Sequence, residues 1–321
     1  MRHWTLPLGL PLLDDGFPLP IERPFTLRQA DDAGVPGHQM RTLVARGYLR
    51  RVLRGVYVAS QVPDGRHLRG QALALVVPHT GVVTDWCACW LWTGIEAPGD
   101  HLGVPPLTVF HRHRHTRLQN SMTRGGARTF RPSDLTDVHG FNVTTPLRTA
   151  WDLGRLQHRD RAFGGMDALM RHGGFDLAEL VDGVARFKGE RGVVQLRALA
   201  PLVDGRAESP GESVLRLRWL DMPSLPRPTP QVSVTVDGIE VYRLDLAVPE
   251  LMYGCEYDGE AFHTDRVRDD ARRADLQGRF GWRVDAVRKD NVFGARRDVE
   301  EVLQRGIDEA RRAIGRPTYF S

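Results

Sequence analysis

The chain has 321 residues, enough for two or three domains, and its 41% hydrophobic and 26% charged residues are those of an ordinary globular protein. Forty-four basic against 40 acidic residues leave a formal charge of +4, too little by itself to name a partner. Three cysteines exclude a disulfide framework, Cys87-x-Cys89 with a distant Cys255 is not zinc spacing, and no run approaches ~18 apolar residues, which excludes a membrane span. The thiols are expected to be buried in a cytoplasmic protein.

Residues 1–20 carry four prolines and no small-residue cleavage site, so they predict a flexible tail rather than a secretory signal. From residue 21 to 62 the pattern is that of a winged helix-turn-helix. Thr26-Leu-Arg-Gln29 has capping-box spacing, Gly34 stops the helix it opens, and Pro36 begins a second with Met40 and Leu43 inward and Gly47 as its stop. Two short apolar runs then flank Arg54-Gly55, a tight basic hairpin. Five arginines and no acid lie between Arg41 and Arg54. His38, Gln39, Arg41 and Arg46 would read the major groove of DNA, and Arg50, Arg51 and Arg54 would hold phosphates.

The middle region, 63–206, predicts helices over 67–76 and 84–92, a strand over 107–111, a helix opened by Thr145-Pro146, and three more near 160–171, 176–187 and 192–202. Trp86, Trp90 and Trp92 read as core. Six arginines and no acid between Leu107 and Arg131 suit a polyanion. His111, His113 and His115 alternate with Arg112 and Arg114. A phosphate-facing basic strand is a simpler reading of them than a zinc site short of its fourth ligand.

Ala207 to Gly211 is a polar break that opens a C-terminal domain, 207–321, with helix at 212–220, strands near 232–236, 242–248 and 251–257, a charged helix over 264–280, a strand at 282–287 and a last helix at 298–314. That order fits a mixed sheet covered by helices, an α/β (α+β) domain. Asp245 ends one strand, and Glu256 and Asp258 share a face of the next, with Cys255 and Tyr257 opposite. With Glu212 from the preceding helix, four acids would meet in one small volume. Like charges so placed repel unless a cation joins them, and hard oxygen ligands suit Mg²⁺ or Mn²⁺.

Glu212-Ser-Val-Leu-Arg216, Arg243-x-Asp245, Glu256-Tyr-Asp258-Gly259, His263 and Gly281-Trp282-Arg-Val resemble the very-short-patch-repair (Vsr) type of endonuclease-like domain, of the PD-(D/E)xK fold, over about residues 207–295. The resemblance implies that Asp245 and Glu256 bind metal, with Glu212 in support, while the strand face shared with Glu256 makes Asp258 a further candidate ligand. Asp258 stands where many relatives carry lysine, so a cation such as His263, Arg266 or Arg272 would have to substitute, or activity has been lost. Leu43-Val-Ala-Arg-Gly-Tyr-Leu-Arg-Arg-Val-Leu-Arg-Gly-Val-Tyr57 and Val143-Thr-Thr-Pro-Leu-Arg-Thr-Ala-Trp-Asp152 resemble the winged-helix and middle regions of AbiEi-type antitoxins. Two functions are implied: a Mg²⁺-dependent DNA endonuclease delivered by a winged helix, or an antitoxin and autoregulator, partnered by DNA and a cognate toxin, whose nuclease fold is inactive. Four acids around one hairpin favour the first, and the missing lysine favours the second.

Overall fold

The computed structural model describes residues 4, 12–95, 107–111, 123–259, 266–295 and 297–314. They form two compact units, one of residues 1–153 and 172–186, the other of residues 154–171 and 187–321. Sheets of three, five and four strands flanked by helices make up the mixed α/β class the sequence predicts.

The first unit opens with β1 (Phe25–Thr26), α1 (Leu27–Asp32), α2 (Gly37–Ala45), β2 (Leu49–Leu53) and β3 (Val56–Ala59). The expected capping box starts α1: Gln29 donates its backbone N–H to Thr26 Oγ1 at 3.2 Å, and Thr26 N–H donates to Gln29 Oε1 at 2.8 Å. The strands pair antiparallel in the order β1-β3-β2. Phe25, Ala30, Met40, Leu43 and Leu49 pack inside, and Leu13 and Phe17 join them at 3% and 5% exposure. Residues 12–20 are therefore not the expected flexible tail. Phe17 N–H donates to the Asp14 carbonyl at 2.9 Å, closing a turn between the docked side chains of Leu13 and Phe17.

Next come α3 (Arg66–Ala74), β4 (Gly81–Val83), α4 (Asp85–Thr93), β5 (Leu107–His111), β6 (Thr123–Arg124), β7 (Leu135–Val138), β8 (Phe141–Thr144) and α5 (Pro146–Leu156). The sheet runs β6-β5-β4-β8-β7, and of its strands only β5 was predicted. The others span two to four residues, too few to display a period of two. Trp86 and Trp90 are core, as expected. Val52, Leu53, Val56 and Val58 of the β2–β3 hairpin share this core with Leu73 and Trp90, so the winged helix and the middle region are one unit rather than beads on a linker. Of the His111–His115 run, His111 ends β5 and is buried, while residues 112–115 lie outside the described residues.

Helix α5 is buried nearly all round, charged residues included. Asp152 accepts from Arg148 Nε at 2.9 Å and Arg128 Nη1 at 3.0 Å. Arg128 also donates to Asp85 at 2.8 and 3.1 Å. Asp134 receives Arg148 at 2.6 Å and Arg186 at 2.7 Å. Arg128, counted in the sequence as part of a basic patch, is thus half-buried between two carboxylates.

The chain continues through α6 (Arg159–His172), α7 (Leu177–Asp182), α8 (Val193–Leu199), α9 (Pro210–Leu220), β9 (Thr229–Val236), β10 (Ile239–Val248), β11 (Tyr253–Asp258), α10 (Arg266–Phe280), β12 (Arg283–Arg288), α11 (Lys289–Val292) and α12 (Val299–Ile314). In the second unit the sheet order is β12-β11-β10-β9, antiparallel except for the β11–β12 pair. One core joins Leu246 and Cys255 to Trp219 of α9 and Leu303 and Ile307 of α12; another joins Leu244 and Ala247 to Leu276 of α10. Buried Asp167 of α6 holds Arg216 of α9 at 2.7 Å, so this unit begins well upstream of the Ala207 break.

Candidate functional site

Two surfaces carry the residues singled out in the sequence, one in each unit. On the winged helix, α2 buries Met40 and Leu43 and leaves His38, Arg41, Thr42, Ala45 and Arg46 exposed, with Gln39 half-buried. The 3.6-residue period segregates these sides, because apolar and polar positions fall three and four apart. Gly55, at φ +79°, closes the hairpin in the left-handed region that a β-carbon disfavours. Exposed Arg54 precedes it. Arg51 pairs across the ladder with Tyr57, and both line a groove of about 680 Å³ against Leu27, Met40, Arg41 and Val44 of the helices. No acid lines this groove. Arg50 differs from its neighbours: half-buried, it donates to the Val62 carbonyl at 2.8 Å, fixing the chain that leaves β3.

In the second unit, the pairing of Leu246 with Cys255 puts Asp245 opposite Glu256 one step along the ladder. Cys255 packs into the core shared with α9, so Asp245 and Glu256 face the other way, towards α10, as strand alternation predicts. Asp245 Oδ2 accepts the Tyr257 backbone N–H at 2.8 Å. Glu256 Oε2 accepts from Arg272 Nη1 of α10 at 2.5 Å, and Arg272 Nη2 donates to the Arg243 carbonyl at 3.1 Å. Glu212, on the first turn of α9, accepts from Glu208 N–H at 2.8 Å and from Gln231 Nε2 at 2.9 Å. Asp258, half-buried at the end of β11, pairs in register with Arg288. His263 lies outside the described residues.

Electrostatics couple part of this set. Burial, the Glu212 charge and the Glu256 charge push Asp245 up to about 7, against the opposing pull of the Tyr257 N–H and Arg272. Burial, and more weakly Glu208, raises Glu212. Burial works against the Arg272 charge, but Glu256 and Asp245 outweigh it and raise its pKa. A divalent ion needs more than a pair of carboxylates, one of them already bound to a guanidinium. Among the described residues no three His, Cys, Asp or Glu side chains come together as a set able to hold a metal ion. The described residues alone make no complete Mg²⁺ or Mn²⁺ cage, and His263 and its neighbours lie outside them. The sequence offered Arg272 only as a substitute for the missing lysine, and the fold makes it the partner of Glu256. The signal was its place on a charged helix four residues before buried Leu276.

Gly211 sets the distance between α9 and this sheet. A β-carbon there would meet the Tyr257 ring at 2.0 Å. Gly211→Ala gains up to about 1 kcal/mol of helix propensity and loses roughly 1–3 kcal/mol to overpacking, so the clash decides the sign. Denaturant unfolding should show a net loss; equal or higher stability would mean that Tyr257 swings away freely.

Residues 22–60 match the family model described as a transcriptional regulator, AbiEi antitoxin, and that segment coincides with the winged helix. Over 282 residues the chain is 34% identical to Rv2248, an uncharacterized protein of Mycobacterium tuberculosis, covering 86% of this chain and 98% of the relative. MT2308, an uncharacterized protein from another strain, matches to the same extent. The chain belongs to the same family as these two proteins. The match spans residues of both units and is not confined to the antitoxin-type segment. Among the described residues no helix is long and apolar enough to cross a membrane.

Proposed function

We propose that the chain is a cytoplasmic DNA-binding regulator of the AbiEi antitoxin type, with the winged helix as its DNA-reading element. The observation that carries this reading is an acid-free face, made by α2 and the hairpin, that presents Arg41, Arg46, Arg51 and Arg54 to solvent on the segment matching the regulator model. His38, Gln39, Arg41 and Arg46 read base edges, while Arg51 and Arg54 hold phosphates. Arg50, engaged with Val62, positions the wing and contributes charge only secondarily. An antitoxin role would add a cognate toxin as second partner, testable by co-purification.

Fluorescence anisotropy on duplex DNA, from 50 to 200 mM salt, tests the interface. Arg51→Ala with Arg54→Ala should weaken binding and flatten the slope of log affinity against log salt by roughly 0.9 per lost contact. Arg50→Ala should instead lower the melting temperature with a smaller change in slope. Unaltered affinity and slope in the Arg51/Arg54 double variant would sink the reading.

A second proposal, that the C-terminal module has the Vsr-like endonuclease fold, is favoured by Asp245 and Glu256 on one sheet face beneath a charged helix. Nicking of supercoiled DNA with and without Mg²⁺, abolished by Asp245→Ala, would establish activity. No cleavage by the wild type would leave the module as a regulator's scaffold.

A further inference from the structure

We propose that the guanidinium of Arg272 is the resident cation of the acidic pair, taking the role that the nuclease resemblance gives to a divalent ion, so that the C-terminal module keeps its fold without metal. The inference rests on the fold proposal alone and is indifferent to whether the winged helix binds DNA.

Arg272 is held at three points. Nη1 binds Glu256 Oε2 at 2.5 Å, Nη2 binds the Arg243 carbonyl at 3.1 Å, and the guanidinium carbon lies 5.5 Å from the centre of the Tyr242 ring. Tyr242 is itself fixed, donating its hydroxyl to Asp275 of the same helix at 2.7 Å. Leu276, one turn after Arg272, is fully buried between α10 and the sheet, which pins the helix axially. A drifting surface arginine would show none of this. The contact joins β10, β11 and α10, so it also locks the helix onto the sheet face that carries both carboxylates.

A divalent ion on Asp245 and Glu256 would take its place among their oxygens at about 2.0–2.6 Å. It would have to crowd or displace Nη1 on Glu256 while the guanidinium stayed tethered to Arg243 and Tyr242 nearby. Two like charges would then share a partly dry site, which is unfavourable. The Arg272–Glu256 pair and a bound divalent ion therefore exclude one another. Asp258, standing where many relatives carry lysine, supplies no cation of its own.

The test uses the full chain, with MnCl₂ as the only probe and EDTA as reference, read by calorimetry and thermal unfolding. Wild type should show no binding heat and no shift of its melting midpoint in millimolar Mn²⁺. Arg272→Gln should melt several degrees lower in EDTA and recover in Mn²⁺, which now finds the freed carboxylates. Arg272→Gln combined with Glu256→Gln should recover without Mn²⁺, since both charges are gone. Should Arg272→Gln not fold, the wild-type arm and the double variant still decide. A wild-type midpoint that rises in Mn²⁺, with the rise abolished by Glu256→Gln, overturns the proposal. So does a double variant no more stable than Arg272→Gln.

Discussion

Asp152→Ala should cost the first unit about 3–5 kcal/mol, the penalty of stranding buried charge, and lower its melting temperature by roughly 10 °C. Asp152 has no solvent exposure and accepts from both Arg148 and Arg128. With Asp85, Asp134 and Arg186, these groups form, among the described residues, a chain of ion pairs between three carboxylates and three guanidiniums. Removing Asp152 takes a carboxylate from two guanidiniums at once, one of them Arg148, whose side chain is only 3% exposed. Arg148, on buried α5, cannot swing to water without unpacking that helix. The network also sustains local strain. Asp85 sits at φ +54°, a left-handed conformation that costs on the order of 1–3 kcal/mol outside glycine, and Arg128 grips both of its oxygens. Thermal unfolding followed by circular dichroism checks the prediction. A loss under about 1 kcal/mol, the range of exposed ion pairs, would show that the network relaxes and is not a structural keystone.

Raising the pH from 5 to 8 should destabilise the second unit, and Asp245→Asn should remove most of that loss. Asp245 is raised to about 7 in the folded chain, from the ordinary value of 3.8, by burial and by the Glu212 and Glu256 charges. A carboxyl raised on folding binds more protons native than unfolded between those two values, so stability falls as pH climbs through that window and levels off above it. At ~1.36 kcal/mol per unit, the full shift amounts to at most about 4 kcal/mol. Buried Asp167, raised to about 6, adds in the same direction despite its Arg216 partner. Asp64, Asp134 and Asp204 are held below the ordinary value, and their stabilisation is complete above about pH 4, so they do not offset the trend. The measurement is urea unfolding at pH 5, 6, 7 and 8 for wild type and Asp245→Asn. Parallel curves for the two proteins would mean that Asp245 is ionised throughout.

The parts of this protein written in its sequence are those governed by neighbours in the chain. Thr26 and Gln29 cap α1 because they stand three residues apart, Gly55 closes the hairpin because the turn needs a positive φ, and Glu256 falls on the opposite side of β11 from Cys255 because strands alternate. Each depends on a spacing of one to four residues, and each was legible. What the tertiary structure decided is which charges meet. Arg128 looked like part of a basic patch until the fold brought Asp85, 43 residues upstream, and Asp152, 24 downstream, onto its two sides. Arg50 looked like its exposed neighbour Arg51 until Val62 took its guanidinium. Glu256 looked like one of four clustered acids until α10 brought Arg272 against it. Charge in a sequence is only a count. Whether it is solvated, neutralised or left to bind a partner depends on desolvation and on groups within a few ångströms, and chain packing sets both over separations that no local pattern records.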